Sequence, residues 1–170
     1  DTTMKSWFSW FPDGSLGRWM ATTKTYHLNK DNVEAEICFR ALDDANDVRN
    51  LLGMEITGVN LAEFREIPRE IFETLDGRLG RYPRVVDGGP TWVGIWGDSN
   101  MPEEESYWYA MMEGLDPDDL RKRKPNDVKV FVQPAGAVRL TTGGYATNPA
   151  AENLENLPPD YYANLVKDKT

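Results

Sequence analysis

The stretch ITGVNLAEFREIP, residues 56–68, decides how the chain is read. An apolar run climbs from Ile56 through Val59 to Leu61. At Glu63 it gives way to a charged patch of Glu63, Arg65 and Glu66. Residues 55–62 alternate too little for a strand with one wet face. Strands of this kind are buried on both faces, as in parallel α/β sheets. Ligands bind to open sheets of that class at the carboxyl ends of the strands. A buried strand that ends in a carboxylate therefore makes Glu63 a candidate site residue. The plainer reading is an acid that merely begins a solvated loop.

A second apolar stretch, TWVGIWGDSN at 91–100, ends in the same manner, with Asp98, Ser99 and Asn100. If the two strands are neighbours, these groups share one crevice with Glu63. A carboxylate there can orient a water for attack on a phosphoryl group. A serine and an asparagine beside it can sense whether the terminal phosphate is present.

Around these two strands the chain alternates. Residues 43–52 read as a helix capped by an Asp and ended by Gly53. Pro68 opens a helix that turns Ile71, Phe72 and Leu75 inward. EEESYWYAMMEGL at 103–115 reads as an amphipathic helix with acids in its first turn. DVKVFVQP at 127–134 reads as a third apolar strand, and PDYYANLV begins a last helix. This order predicts an α/β fold with a mostly parallel sheet and helices on both faces. Ahead of it, residues 2–11 predict a short amphipathic helix. TKTYHL at 23–28 and VEAEICFRAL at 33–42 predict a hairpin, with Val33, Ala35, Ile37 and Phe39 on one face.

Composition narrows the chemistry. A length of 170 residues fits one domain with a real core. The net charge of -9 argues against a simple cationic nucleic-acid binder, although not against a local basic patch. With a single histidine, His27, a Ser-His-Asp triad or zinc site is not expected. A single cysteine, Cys38, allows no internal disulfide and fits a reducing compartment. Both read as structural, with Cys38 buried or half-buried. The N-terminus lacks the pattern of a signal peptide. It starts at Asp1, so the chain is treated as a piece of something longer.

LLGMEITGVNLAEFREIPREIFETLDGRLGRYP followed by GGPTWVGIWGDSNMPEEESYWYAMME resembles the large terminase subunit of tailed bacteriophages. FRALDDANDVRNLLGMEITG is similar to that family's segment before its acidic strand. AENLENLPPDYYANLVKDK is similar to its segment leading out of the ATPase domain, and DTTMKSWFSWFP also fits. The likeness covers nearly the whole chain, in the family's order. It implies a partial P-loop NTPase sheet of the ASCE type, carrying the Walker B and coupling portion of a motor that packages viral DNA. By that resemblance Glu63 is the catalytic glutamate that polarises water, and Asp98, Ser99 and Asn100 form the coupling motif. ATP and Mg²⁺ are the implied cofactors of the full-length protein. The implied partners are double-stranded DNA, a portal protein, a small terminase subunit and further copies in a ring. The implied setting is the host bacterial cytoplasm during virion assembly.

The sequence departs from the family's pattern in two places. No GxxxxGK[ST] is present: Lys5-Ser6, Lys24-Thr25 and Lys169-Thr170 all lack the preceding glycine. The Walker A segment is therefore expected upstream, and the family's nuclease domain downstream. Without a phosphate-cradling loop, the chain alone is expected to turn over ATP poorly or not at all. Ala62 also stands where the family has an acid or amide that helps hold Mg²⁺. Asn60, on the same side of an ideal strand, is a partial substitute at best. The alternative reading is a non-catalytic α/β interaction fragment that binds portal, small subunit or DNA without turnover.

Arg78 and Arg81 in GRLGRYP are candidates for arginines that reach a neighbouring subunit's nucleotide; the plainer reading of this arginine-rich stretch is surface ion pairing. Arg121, Lys122, Arg123 and Lys124 form either a DNA-backbone contact or a solvated loop, and the flanking Asp and Pro residues favour the loop. Asp116, Asp118 and Asp119 read as turn residues rather than a metal site. Of the six tryptophans, Trp7, Trp10, Trp92, Trp96 and Trp108 fall where periodicity expects core. Tyr161 and Tyr162 either pack, the plainer reading, or stack on a base or on a further domain.

Overall fold

A computed structural model describes residues 2–42, 45–124 and 126–166. The chain divides into two compact units, Asp1–Lys122 and Arg123–Thr170.

The first unit opens with helix α1 (Thr2–Trp10) and three strands, β1 (Gly17–Met20), β2 (Thr25–Lys30) and β3 (Val33–Cys38). These strands form an antiparallel sheet in the order β1-β2-β3. Asp31 and Asn32 join β2 to β3 with φ of 53° and 65°. Two consecutive left-handed residues match the right-handed twist of a two-residue hairpin, and Asp and Asn tolerate that conformation. Tyr26 is fully buried at the centre of the sheet. The Trp7 ring meets Tyr26 at 5.6 Å and Phe39 at 5.8 Å, and Phe8 meets Trp19 at 5.2 Å. Aromatic residues spaced along one helix face thus cover one sheet face. The expected hairpin is present, and β1 adds a strand the sequence reading left out. Trp10, expected in the core, is 76% exposed. It lies off the helix face that carries Trp7 and Phe8. Cys38 is also exposed, because it alternates with the inward Ile37 and Phe39.

Helix α2 (Ala45–Leu52) follows; Asp43 and Asp44, expected to cap it, lie outside the described residues. Strand β4 (Gly58–Ala62) pairs in parallel with β5 (Gly94–Asp98). Helix α3 (Arg69–Asp76) lies in the crossover between them, since a parallel pair cannot be joined by a tight turn. A single parallel bridge, Ile56 to Leu79, places residues near 79 beside the start of β4. The Arg81 N–H donates to the Ile56 carbonyl at 3.2 Å. The core of this region is Leu51, Leu61, Ile71, Leu75 and Trp108, with Phe64, Phe72, Ile95 and Tyr107 packed against it. Each such side chain, fully buried, contributes roughly 1.5–3 kcal/mol. Pro68 precedes the first turn of α3 as expected, and Ile71 and Leu75 are buried.

Helix α4 (Tyr107–Glu113) starts later than expected. Its cap is Ser106, whose hydroxyl accepts the Tyr109 N–H at 3.1 Å. Glu103, Glu104 and Glu105 therefore precede the helix instead of forming its first turn. A short two-stranded sheet follows, β6 (Leu115–Asp116) with β7 (Asp119–Arg123).

In the second unit, β8 (Ala137–Arg139) and β9 (Tyr145–Thr147) form an antiparallel hairpin, and α5 (Tyr161–Val166) ends the described chain. The Tyr162 ring lies against Gly136, where any Cβ would collide with it. Residues 127–134 are not a strand. Their apolar composition suits one, but they form no ladder, and Phe131 is 90% exposed. Strand structure needs a partner edge as well as β-branched residues.

The fold is thus mixed α/β, with small sheets that are mostly antiparallel and one parallel pair, in place of the mostly parallel sheet expected. Trp92 and Trp96 also differ from expectation, being 48% and 53% exposed. Their rings meet at 4.9 Å on the surface. Gly58 and Gly94 stand opposite each other in the ladder, and a Cβ at either would strike the Trp92 indole. Trp92 therefore lies over bare backbone. Among the described residues, no helix is long and apolar enough to cross a membrane.

Candidate active site at the ends of two parallel strands

The register of the parallel pair runs from Gly58 opposite Gly94 to Ala62 opposite Asp98. Glu63 is the next residue beyond that last pair. The two strands whose polar ends were singled out in the sequence are therefore neighbours, and they finish together.

Glu63 has φ 54° and ψ 49°, in the left-handed region. For a residue other than glycine this conformation costs roughly 1–2 kcal/mol. Its carbonyl accepts the Glu66 N–H at 2.9 Å, which starts a tight turn over Phe64–Glu66. Two sets of contacts hold the turn. On the inner side, the Phe64 ring packs on Trp108 at 5.1 Å, and the Trp108 indole N–H donates to the Ile67 carbonyl at 3.0 Å. On the outer side, the Arg65 N–H donates to Ser99 Oγ at 3.3 Å, and the Arg65 guanidinium donates to the Met101 carbonyl at 3.3 Å. The same guanidinium pairs with Glu66 at 2.9 Å. Gly97 permits this approach, since a Cβ there would collide with the Leu61 carbonyl.

Glu63 and Asp98 are both exposed, as are Ala62 and Asn60 on β4. Ser99 is half-buried and Asn100 exposed. Beside the turn is a cleft of about 250 Å³ lined by Arg65, Glu66, Pro102, Glu103 and Ser106. In the sequence Arg65 stands out only as part of the charged patch that follows the apolar run. Its contacts depend on a turn and a strand pairing that the sequence does not display.

The other candidates do not gather here. Arg78 and Arg81 flank the Leu79 bridge at the amino end of β4. At roughly 3.3 Å per residue, the strand carries Glu63 about 20 Å or more from that end. Within one chain, these arginines therefore do not reach the carboxylate. Arg121, Lys122, Arg123 and Lys124 are exposed at the end of β7 and just beyond it. Asp119 pairs with Arg121 at 3.2 Å and with Lys122 at 3.1 Å. Those two cations hold the Asp119 carboxyl below its ordinary range. Asp118 pairs instead with Arg69 at 3.1 Å.

The side chains at this edge do not fit a magnesium site built from this chain alone. Ala62 offers no oxygen on its side chain. Among the described residues, no three His, Cys, Asp or Glu side chains stand close enough to hold a metal ion. Nor do carboxylates cradle a polyphosphate, which needs backbone N–H groups and a lysine. What the arrangement can supply is a base: a carboxylate carried on a backbone fixed at a strand end and open to water, one residue past the strand pair that ends at Asp98. No protein-family model, curated protein or solved structure matches the chain.

Proposed function

We propose that this chain is the Walker B and coupling-motif part of the ATPase in a large terminase subunit, the motor that drives double-stranded DNA into a phage procapsid. One observation carries the reading. Glu63 is held in a strained conformation one residue beyond the Ala62–Asp98 pair, at the shared carboxyl edge of two parallel strands. Lys24, Glu105 and Asp160 are also exposed and left-handed, so the weight falls on where Glu63 stands, at the joint edge of the two strands.

On this reading ATP is the substrate, and its phosphate-cradling loop comes from another part of the full-length polypeptide. The Glu63 carboxylate accepts a proton from the water that attacks the terminal phosphoryl group. Asp98, Ser99 and Asn100, on the adjacent strand end, respond when that phosphate leaves and pass the change to DNA movement. The finer fold reading, a P-loop sheet, draws support from the parallel pair. Two strands are too few to stand alone, and parallel sheets are covered on both faces. The exposed Trp92 and Trp96 on this pair suit a surface that further structure covers. Portal, small terminase subunit and a ring of copies are the partners the reading implies, in the host cytoplasm.

The lack of GxxxxGK[ST] favours a second reading, interaction without turnover. Phosphate-release assays on the 170-residue chain and on the full-length polypeptide that carries it separate the two. We expect background turnover from the chain and DNA-stimulated hydrolysis from the full-length protein. A full-length protein that neither binds nor hydrolyses ATP would overturn the motor reading.

A further inference from the structure

We propose that Arg65 is a positioning residue, pinning the turn that carries Glu63 to the loop leaving β5 and so setting where the carboxylate stands relative to Asp98 and Ser99. The inference rests on the reading of Glu63 as the group that activates water.

Two contacts from one residue cross the gap between the strand ends. The Arg65 peptide N–H reaches Ser99 Oγ, and its guanidinium reaches the Met101 carbonyl, both at 3.3 Å. The fork geometry of the guanidinium lets it serve Glu66 at the same time, at 2.9 Å. The Arg65 side chain is 36% exposed, so the Glu66 pair adds little stability by itself. Its geometric effect is larger. It orients the guanidinium so that a second N–H faces Met101. Residue 63 sits in a conformation that persists only where its surroundings determine it. Phe64 and Trp108 fix the turn from the core side, and Arg65 fixes it from the side where Asp98 and Ser99 lie. A residue that sets the distance between a base and its neighbours governs the rate of the chemical step more than substrate affinity. A misplacement of about 1 Å can cost around 100-fold.

Lysine keeps the charge and has three donors, but all on one nitrogen, so it lacks the planar fork whose separate nitrogens face Glu66 and Met101. Arg65→Gln keeps the stem and loses the charge. In the full-length protein, Arg65→Gln should lower kcat about tenfold or more with KM for ATP within about twofold, the signature of an interaction made in the transition state. Arg65→Lys should recover part of that loss. Adding Arg65→Gln to Glu63→Gln should cause no further loss, because residues acting as a unit are not additive. In the 170-residue chain, amide exchange at residues 65–67, whose N–H groups bond Ser99 Oγ and the Glu63 and Phe64 carbonyls, should quicken in Arg65→Gln. Unchanged exchange would overturn the pinning contact whatever the reaction. If Glu63→Gln stops turnover while Arg65→Gln leaves kcat unchanged, the positioning role fails and the motor reading stands. If Glu63→Gln leaves turnover intact, both fail.

Discussion

Ala62 and Asp98 stand opposite each other as the last pair of the parallel β4–β5 ladder, so residue 63 is the first to leave the sheet on the side where Asp98 ends β5. Glu63 leaves it in a left-handed conformation, with φ 54°. A strand can be turned there at less cost by glycine, which has no Cβ to clash.

That contrast separates stability from function. Glu63→Gly should stabilise the chain by roughly 0.5–1 kcal/mol, the left-handed penalty less the extra entropy glycine loses on folding. Glu63→Gln should leave stability near its starting value. Urea denaturation of the 170-residue chain gives both numbers. A Glu63→Gly variant less stable than the parent would show that the carboxylate is held for packing, not for chemistry.

The core prediction concerns Ile71, which is 1% exposed among Leu51, Leu61, Leu75 and Trp108. Ile71→Ala should cost about 2–5 kcal/mol, the lost transfer free energy plus a cavity that α3 and β4 cannot close. Val86→Ala, at a residue 83% exposed, should change stability by less than about 0.5 kcal/mol. Thermal unfolding followed by far-ultraviolet circular dichroism distinguishes them.

Alkaline pH should act on Tyr107. Burial first, then the negative charges of Glu73 and Asp76, push its phenol above the ordinary tyrosine value, while Arg69 pulls the other way. The raised folded value means that the neutral phenol favours the native state. Its stabilising contribution is complete below about pH 10, the unfolded value, and is lost as pH rises toward the raised one. Phenolate absorbance should show a component from Tyr107 that titrates above the ordinary tyrosine value. Tyr107→Phe should remove that component and weaken the alkaline loss of stability.

Patterning made the local elements legible. The β2–β3 hairpin, α1, the two apolar strands and the inward face of α3 all follow from periodicity and turn residues, and all are present. What it could not supply was pairing. Residues 127–134 have the composition of a strand but form no ladder, and β1, β8 and β9 are too short or too glycine-flanked to stand out. The tryptophans show the same limit. Trp92 and Trp96 carry apolar mass, yet two paired glycines open a shelf of backbone on the surface that takes the Trp92 ring. At the site, the polar ends of the two strands at Glu63 and Asp98 were readable, whereas their being neighbours was a condition that the β4–β5 ladder meets. The left-handed turn and the Arg65 contacts were not readable, because they depend on where β5 falls beside β4.

The most direct test is ATP turnover by the full-length polypeptide with Glu63 replaced by Gln, measured beside its affinity for ATP. Loss of a positioned base predicts a fall in kcat of about 100-fold or more. ATP affinity should stay within about twofold, because the carboxylate acts on the water and not on nucleotide binding. Turnover within about twofold of the parent protein would contradict the account.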